Sequence, residues 1–193
     1  MKRKISILLL SFLNMGYCSK AQIKKIEFSA FTVNSPLSKE KNKTEIFTYA
    51  EISETGFIKL MDRDEYNDSI SNYTYQLKAD EIKKIELIFN SKKELKSHLT
   101  SQSLKKGDHY SGNYYSFISS YKDNKKDDLY FIESYMSVEF NDMFKLLKGI
   151  FYGKQKLPSS SRFSIPKNLK ETLFLGYTNN KYLPIIEFPP PEL

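Results

Sequence analysis

Residues 77–90, L-K-A-D-E-I-K-K-I-E-L-I-F-N, are the stretch that decides the fold. Its apolar side chains recur at helical spacing within one arc, and the residues between them are mostly charged, which predicts an amphipathic helix. The apolar positions are Ile82, Ile85, Ile88 and Phe89. Asp80 and Glu81 lie in the first turn, where the helix dipole favours negative charge.

An alternating segment precedes this helix. Tyr73, Tyr75 and Leu77 would point to one side of a strand, and Thr74 and Gln76 to the other side. A strand therefore leads directly into the helix. The helix can bury its apolar arc against the sheet to which that strand belongs, so this region predicts a helix packed on a sheet face.

Alternating apolar and polar residues predict further strands on both sides of the helix. These segments are 23–33, 44–53, 57–61, 113–121 and 129–136. Gly56 lies in the short connection between the second and third segments and can adopt the positive φ of a tight turn. The charged residues 122–128 join the last two segments, so we expect the strands to pair as antiparallel hairpins.

A second amphipathic helix is predicted after the last hairpin. Its apolar positions are Phe140, Met143, Phe144, Leu147, Ile150 and Phe151. Ser137 before them is a typical N-cap residue, and Gly153 after them is expected to be the C-cap. Because helices follow antiparallel strand pairs, we expect an α+β fold. Its antiparallel sheet, built from hairpins, would carry the two main amphipathic helices on one face.

The N-terminal residues have the pattern of a secretory signal peptide. The chain begins M-K-R-K, continues with a short apolar run over residues 5–13, and reaches the tripeptide S-K-A at residues 19–21. Small residues on the outer positions of that tripeptide favour cleavage before Gln22. We therefore predict a signal peptide over residues 1–21 and a periplasmic or secreted protein. A buried N-terminal helix is the alternative interpretation.

Cys18 permits another alternative, a lipoprotein acylated at this cysteine. The bulky Tyr17 directly before it departs from the small residue that acylation requires, so we favour the exported product without a lipid. Cys18 is also the only cysteine of the chain. Its removal with the signal peptide would leave a mature protein with no disulfide and no thiolate ligand for a metal.

The charge of the mature chain argues against nucleic-acid binding. The full chain carries a net charge of +7, but residues 1–21 hold four basic and no acidic residues, so cleavage would lower the net charge to +3. A nearly balanced charge lacks the basic footprint of a nucleic-acid-binding protein. No later segment is long and apolar enough to span a membrane, so we expect no transmembrane segment in the mature chain.

The chain after the signal peptide divides into two predicted parts. Residues 22–156 contain the strands and helices described above and form the α+β domain. Residues 157–193 form a C-terminal extension that begins with a linker rich in serine and proline. Segments 171–178 and 181–188 are predicted to form a last hairpin around an Asn-Asn dipeptide, and the proline-rich end is predicted to be a frayed tail.

Groups suited to catalysis are sparse. His98 and His109 are the two histidines, and Asp108 directly precedes His109. No G-x-S-x-G motif of a serine nucleophile occurs. A small envelope hydrolase, with His109 as general base and Asp108 as the residue that orients it, therefore stands as an alternative function.

The acidic residues of segment 62–68 have the composition of a calcium loop without its pattern. An EF-hand requires glycine at the sixth position and glutamate at the twelfth, where this chain has Asn67 and Tyr73. No H-E-x-x-H motif for zinc is present. We expect a solvated acidic loop, with no metal site and no cofactor.

Tyrosine is unusually abundant, with 14 Tyr and 14 Phe against no Trp. The ligand-binding candidates are Tyr110, Tyr115, Phe117 and Tyr121, which crowd one predicted strand and its approach. Tyrosine combines a large ring with a polar tip and suits surfaces that recognise sugars or proteins. The alternative is a structural one, a half-wet sheet face rich in tyrosine.

These observations favour an exported, non-catalytic binding module for a protein or glycan partner in the cell envelope. No motif specifies that partner or the number of subunits. An immunity or inhibitor-type protein, which would block a toxin or an enzyme, has the same architecture and differs only in its partner. The small hydrolase remains the catalytic alternative.

Overall fold

The computed structural model describes residues 22–33, 44–64, 66–91, 93–100, 110 and 112–180. Within these residues the strands are β1 (Ile23–Val33), β2 (Thr44–Ser53), β3 (Phe57–Arg63), β4 (Ile70–Gln76), β5 (Tyr114–Tyr121), β6 (Lys126–Phe131) and β7 (Leu157–Pro158). The α-helices are α1 (Ala79–Phe89), α2 (Val138–Phe151) and α3 (Leu169–Thr178). Two short 3-10 helices cover Leu95–His98 and Glu133–Tyr135.

The strands form one antiparallel sheet in the order β6-β5-β1-β2-β3-β4-β7. The predicted α+β class, with a sheet built from hairpins, is confirmed. The long strand β1 lies between β2, its neighbour in sequence, and β5, which follows about 80 residues later. The pairing of β1 with β5 therefore joins distant parts of the chain near the middle of the sheet.

One face of the sheet carries α1 and α2, as predicted. Strand alternation presents Phe28 of β1 and Phe117 of β5 to this face, where they pack on Phe144 of α2. The apolar arc of α1 is buried in the same core through Ile85, Ile88 and Phe89. We call this the phenylalanine core. It contains most of the buried phenylalanine rings of the described residues. The helices α1 and α2 bury their apolar sides in it, against the sheet.

The ends of the two predicted helices follow the sequence signals in part. At the start of α1, the buried Glu81 carboxylate accepts a hydrogen bond from the Lys78 amide at 2.8 Å. Ser137 caps α2 as predicted, because its hydroxyl accepts a hydrogen bond from the Phe140 amide. The Gly153 C-cap prediction is wrong. The helix α2 ends at Phe151, its C-cap is Tyr152, and Gly153 does not have a positive φ.

The second hairpin differs from its prediction in the bounds of one strand. The predicted strand over residues 129–136 begins earlier, at Lys126, and ends at Phe131, after which the chain turns into a 3-10 helix. The tight turn at residues 121–125 includes Asn124 at a φ of 65° and so needs fewer residues than the charged segment suggested. The first hairpin has its predicted glycine turn, with Gly56 at a φ of 76°.

The opposite face of the sheet is partly covered by α3, which the sequence did not predict. The strand predicted over residues 171–178 is wrong, since these residues are helical. Leu169 and Leu173, four residues apart, are the buried side chains of α3, and they pack on Tyr49 and Tyr114 of the sheet. The partner strand predicted at residues 181–188 lies outside the described residues. We call this second cluster the tyrosine core.

The predicted linker also contributes to the sheet. Leu157 and Pro158 form β7, which pairs with Thr74 and Tyr73 at the edge of β4. The following residues continue along this edge, where the Ser159 amide donates to the Asn72 carbonyl at 2.8 Å. A short edge strand that contains proline offers few free backbone groups for pairing with another chain.

Substitution of Gly176 tests the placement of α3. A Cβ at this position would overlap the Tyr130 ring, so we expect Gly176→Ala to destabilise the protein by about 1–2 kcal/mol through overpacking. The matched control is Gly149→Ala in α2, where a Cβ meets open space, and which should stabilise by about 1 kcal/mol through helix propensity. Urea denaturation measures both. A stabilising Gly176→Ala would contradict this packing of α3.

Candidate functional site

The aromatic residues singled out as ligand-binding candidates are placed on both faces of the sheet. Phe117 is 0% exposed and belongs to the phenylalanine core. Tyr115 lies against the same core, its ring centroid 4.9 Å from that of Phe144. Tyr110 instead packs on the tyrosine core. The structure therefore does not bring these residues together as one exposed surface.

The hydroxyl groups of Tyr110 and Tyr121 form hydrogen bonds within the fold. Tyr121 donates to the Phe89 carbonyl at 2.9 Å, at the end of α1, and Tyr110 donates to the Asn113 carbonyl at 2.6 Å. Burial raises the pKa of both hydroxyls. Tyr75 likewise donates to the Glu81 carboxylate at 3.2 Å. These tyrosines therefore contribute to packing and to hydrogen bonds within the fold.

The catalytic candidates His109 and Asp108 lie outside the described residues. The other histidine, His98, contacts a hydroxyl: its Nδ1 lies 3.0 Å from the Ser137 Oγ. Burial, followed by the charge of Lys93, lowers the pKa of His98. A serine and a histidine in contact invite comparison with a nucleophile and its base.

This contact has a structural role. The Ser137 hydroxyl already caps α2, and the His98 ring packs on Phe140, with ring centroids 5.6 Å apart. The His98 Nε2 is buried and has no hydrogen-bond partner among the described residues. The base of such a pair would be Nδ1, and its second ring nitrogen would be held by an orienting group. Nε2 has no such group among these residues, so the pair lacks the arrangement of a nucleophile and its base.

The acidic segment forms a turn closed by its own side chains. The Asp64 carboxylate accepts from the Tyr66 amide at 2.8 Å, and Asp68 pairs with Arg63 at 2.8 Å. Asp62 instead contacts Lys156, with 3.4 Å between Oδ2 and Nζ. In the part of the chain that the structure describes, no three His, Cys, Asp or Glu residues are grouped to hold a metal ion.

The half of the sheet that α3 leaves uncovered is the best candidate for a binding surface. It is the face opposite α1 and α2, at the end of the strands away from the tyrosine core. We call it the open sheet face and define it by Lys25, Glu27, Glu51, Ser53, Phe57, Lys59 and Ser120. These side chains are half-buried or exposed. They alternate with Ile26, Ile52 and Ile58 of the phenylalanine core.

Two carboxylates are opposed on this face. Glu27 and Glu51 are direct partners across β1 and β2, a placement that like charges make unfavourable. The hydroxyl of Tyr49 lies 2.7 Å from Glu27 Oε1 and 3.0 Å from Glu51 Oε1, and Lys25 pairs with Glu27 at 3.1 Å. Tyr49 is 2% exposed, and burial together with both carboxylates raises its pKa far above the ordinary value. Tyr49, a member of the tyrosine core on the same face of the sheet, therefore orients these carboxylates from the side.

Two cavities lie on either side of the carboxylates. One has a volume of about 470 Å³ and is lined by Lys24, Lys25, Lys59, Glu51, Ser53, Ser120 and Phe57. The other has a volume of about 270 Å³ and reaches the start of α3; its charged lining residues are Glu27, Lys126, Asp127 and Asp128. We call them the basic cavity and the acidic cavity. The open sheet face is thus polar, concave and divided by charge.

A smaller cleft lies at the other side of the sheet, beside α1. Its volume is about 190 Å³, and Ile26, Ile52 and Ile82 contribute to an apolar lining. An ion pair on its rim joins Lys122 and Glu54 at 2.7 Å. This cleft is below the usual size of a small-molecule site, whereas the basic cavity lies within that range.

No described helix has both the length and the apolar character needed to cross a membrane. Comparison of the chain with models of protein families, with curated proteins and with solved structures finds no match. Among the described residues, the open sheet face, with its two cavities and its oriented carboxylates, is the candidate site.

Proposed function

We propose that this protein is a non-catalytic binding module of the cell envelope and that its protein or glycan partner contacts the open sheet face. The observation that carries the proposal is the uneven covering of the sheet. The helices α1 and α2 bury the apolar side chains of one face. Of the described elements, α3 covers one end of the other face, whose opposite end presents oriented polar side chains.

The composition of this surface suits recognition. Its charged groups belong to paired strands, so a partner would meet them with little loss of backbone freedom. Phe57, which is 38% exposed, adds an apolar ring beside the charged groups. A partially exposed aromatic residue with surrounding polar groups is the usual composition of a binding surface.

The setting outside the cytoplasm rests on the predicted signal peptide. Cleavage before Gln22 would place the new N-terminus directly before β1, whose first residue is Ile23. The mature chain would then contain the whole sheet. N-terminal sequencing of the natural protein should begin at Gln22, and a protein that begins at Met1 and fractionates with the cytosol would contradict this setting.

Affinity capture with matched variants tests the binding function. The tagged protein is incubated with a native envelope extract, and bound partners are identified by mass spectrometry. We expect Phe57→Ala combined with Lys59→Glu to reduce recovery of the partner at least about tenfold, since hot-spot losses of 1.4 kcal/mol or more are common for central residues. Circular dichroism confirms that the variant is folded.

The control carries the same kind of change on the other side of the molecule. Leu87→Ala with Lys83→Glu alters an exposed apolar residue and an exposed lysine of α1, and should leave recovery unchanged. Equal recovery with the two double variants would contradict a role for the open sheet face. If the partner is a toxin or an enzyme whose activity the protein blocks, the module is an inhibitor or immunity protein.

A further inference from the structure

We propose that the basic cavity binds an acidic sugar, that is, a sugar unit bearing a carboxylate, such as a hexuronic acid within a glycan. This inference rests on the proposed function, because it names the ligand of the same surface. It is carried by three features of the cavity: a β-bulge that turns two consecutive lysines into it, lysines that form no ion pair with the described residues, and uncharged groups suited to a sugar ring.

The bulge lies at the start of β1. Opposite β5, Ile23 is the partner of Tyr121 and Lys25 is the partner of Ser120, so Lys24 is an extra residue in β1. Consecutive residues of a regular strand point to opposite faces, but a bulge changes this alternation. As a result both Lys24 and Lys25 line the basic cavity. Bulges are often found where a strand must direct a side chain toward a ligand.

The positive charge of this cavity is only partly neutralised. Lys25 pairs with Glu27, whereas neither Lys24 nor Lys59 forms an ion pair within the described ranges of the chain. The Lys59 side chain lines the cavity, and its Nζ lies 5.9 Å from the centroid of the Phe163 ring. The charge of Lys24 also acts on the Glu54 carboxylate, so the positive charge open to an anion comes from Lys59 and in part from Lys24, and it is complementary to a carboxylate.

The remaining lining groups select among anions. Glu51 also lines the cavity, and its carboxylate would repel a compact, highly charged anion such as phosphate while accepting hydrogen bonds from hydroxyl groups. Ser120 adds a hydroxyl that can both donate and accept. The Ser53 hydroxyl also lines the cavity, but it accepts from the Phe57 amide at 3.1 Å and contacts the Thr55 hydroxyl at 2.9 Å. A ligand that satisfies this set carries one carboxylate together with several hydroxyl groups.

The size and the apolar surface of the cavity also fit a sugar. Its volume of about 470 Å³ lies in the range of small-ligand sites. Phe57 offers a flat apolar ring, on which the C–H face of a sugar ring can pack. These groups are complementary to an acidic sugar. The lysines would bind its carboxylate, Glu51 and the serines would bind its hydroxyl groups, and Phe57 would pack on the face of its ring.

Titration calorimetry with a galacturonic acid trimer as the probe tests this assignment. The intact mature protein should bind the trimer, and the neutral galactose trimer should bind at least about tenfold more weakly because it lacks the carboxylates. Lys59→Gln, and separately Lys24→Gln, should each weaken the acidic trimer about five- to tenfold, in line with the loss of one charge-assisted hydrogen bond. Raising the salt concentration should weaken binding further.

Lys83→Gln is the matched control, since Lys83 is an exposed lysine of α1 on the opposite side of the sheet, and it should leave the affinity unchanged. The assignment is overturned if the acidic trimer does not bind at millimolar concentration, if the neutral trimer binds equally well, or if Lys59→Gln has no effect. If the acidic trimer fails while Phe57→Ala with Lys59→Glu still abolishes capture of an envelope partner, only the sugar assignment is lost. If both experiments fail, the proposed function is lost with it.

Discussion

Replacement of Phe117 by alanine is expected to lower the free energy of unfolding by about 4 kcal/mol, the typical result for a phenylalanine removed from a core. The side chain is 0% exposed, and its ring lies 5.2 Å from that of Phe28 and 5.8 Å from that of Phe131, centroid to centroid. It contacts both helices as well, through Phe89 of α1 and Phe140 of α2. The cavity left by the substitution has walls on every side and cannot easily collapse. Urea denaturation monitored by circular dichroism measures the change.

Phe57→Ala is the control for this prediction. Phe57 is 38% exposed on the open sheet face, so its removal should change the free energy of unfolding by less than about 1 kcal/mol. The pair also separates stability from binding. If Phe117→Ala left the stability unchanged and abolished binding of a partner, the core assignment would be wrong and a ligand role for Phe117 would regain support.

The second large effect is expected at Lys156, a lysine that is held at the end of α2. Its side chain is 12% exposed, and its Nζ donates to the Phe151 carbonyl at 2.6 Å and to Asp62 Oδ2 at 3.4 Å. The same ammonium lies 4.2 Å from the centroid of the Tyr73 ring. It therefore combines a charge at the negative end of a helix, an ion pair and a cation–π contact.

We expect Lys156→Ala to destabilise the protein by about 2–3 kcal/mol. Breaking a buried ion pair costs about 3–5 kcal/mol, and the value is lower here because Asp62 is 31% exposed and water can solvate its carboxylate. Lys154→Ala changes an exposed lysine two residues away and should alter stability by less than about 0.5 kcal/mol.

A double-mutant cycle with Asp62→Ala identifies the part of this effect that belongs to the ion pair. The coupling between the two positions should be about 1–2 kcal/mol, with the rest coming from the Phe151 carbonyl and the Tyr73 ring. Equal unfolding midpoints for Lys156→Ala and Lys154→Ala would contradict the structural role given to Lys156.

Strands and helices with a clear period could be read from the chain. The predicted segments 23–33 and 44–53 coincide with β1 and β2. Alternation is decisive there because each strand has one face on a core, and a shift by one residue would expose the apolar side chains. The arc of Ile85, Ile88 and Phe89 likewise predicted α1, because a helix on a sheet must bury one side only.

The helix α3 could not be read in the same way. Its segment, L-K-E-T-L-F-L-G-Y-T, is apolar on several sides, and short apolar runs are ambiguous between helix and strand. Contacts made elsewhere settle the choice: Leu169 and Leu173 pack on the tyrosine core, and Gly176 permits close approach to Tyr130. These partners come from β2, β5 and β6, which are far away in sequence.

The candidate site was missed for a related reason. The signal existed in the alternation, because Lys25 and Glu27 lie opposite Ile26 and Phe28 and had to face away from the first core. What could not be inferred was that α3, among the described elements, would cover only part of the second face. Tyrosine was the more conspicuous feature, and its ring suits a buried sheet as well as a binding surface.

The amino-acid order by itself determined the α+β class, the hairpins, and the two helices that share one sheet face. These follow from periodicity, a property of neighbouring residues that needs no knowledge of distant ones. Only the tertiary structure decided that Phe117 is core, that residues 171–178 are helical, and that Lys24, Lys25 and Lys59 share one cavity. Burial and proximity depend on which elements meet in space, and here β1 meets β5 across about 80 residues of chain.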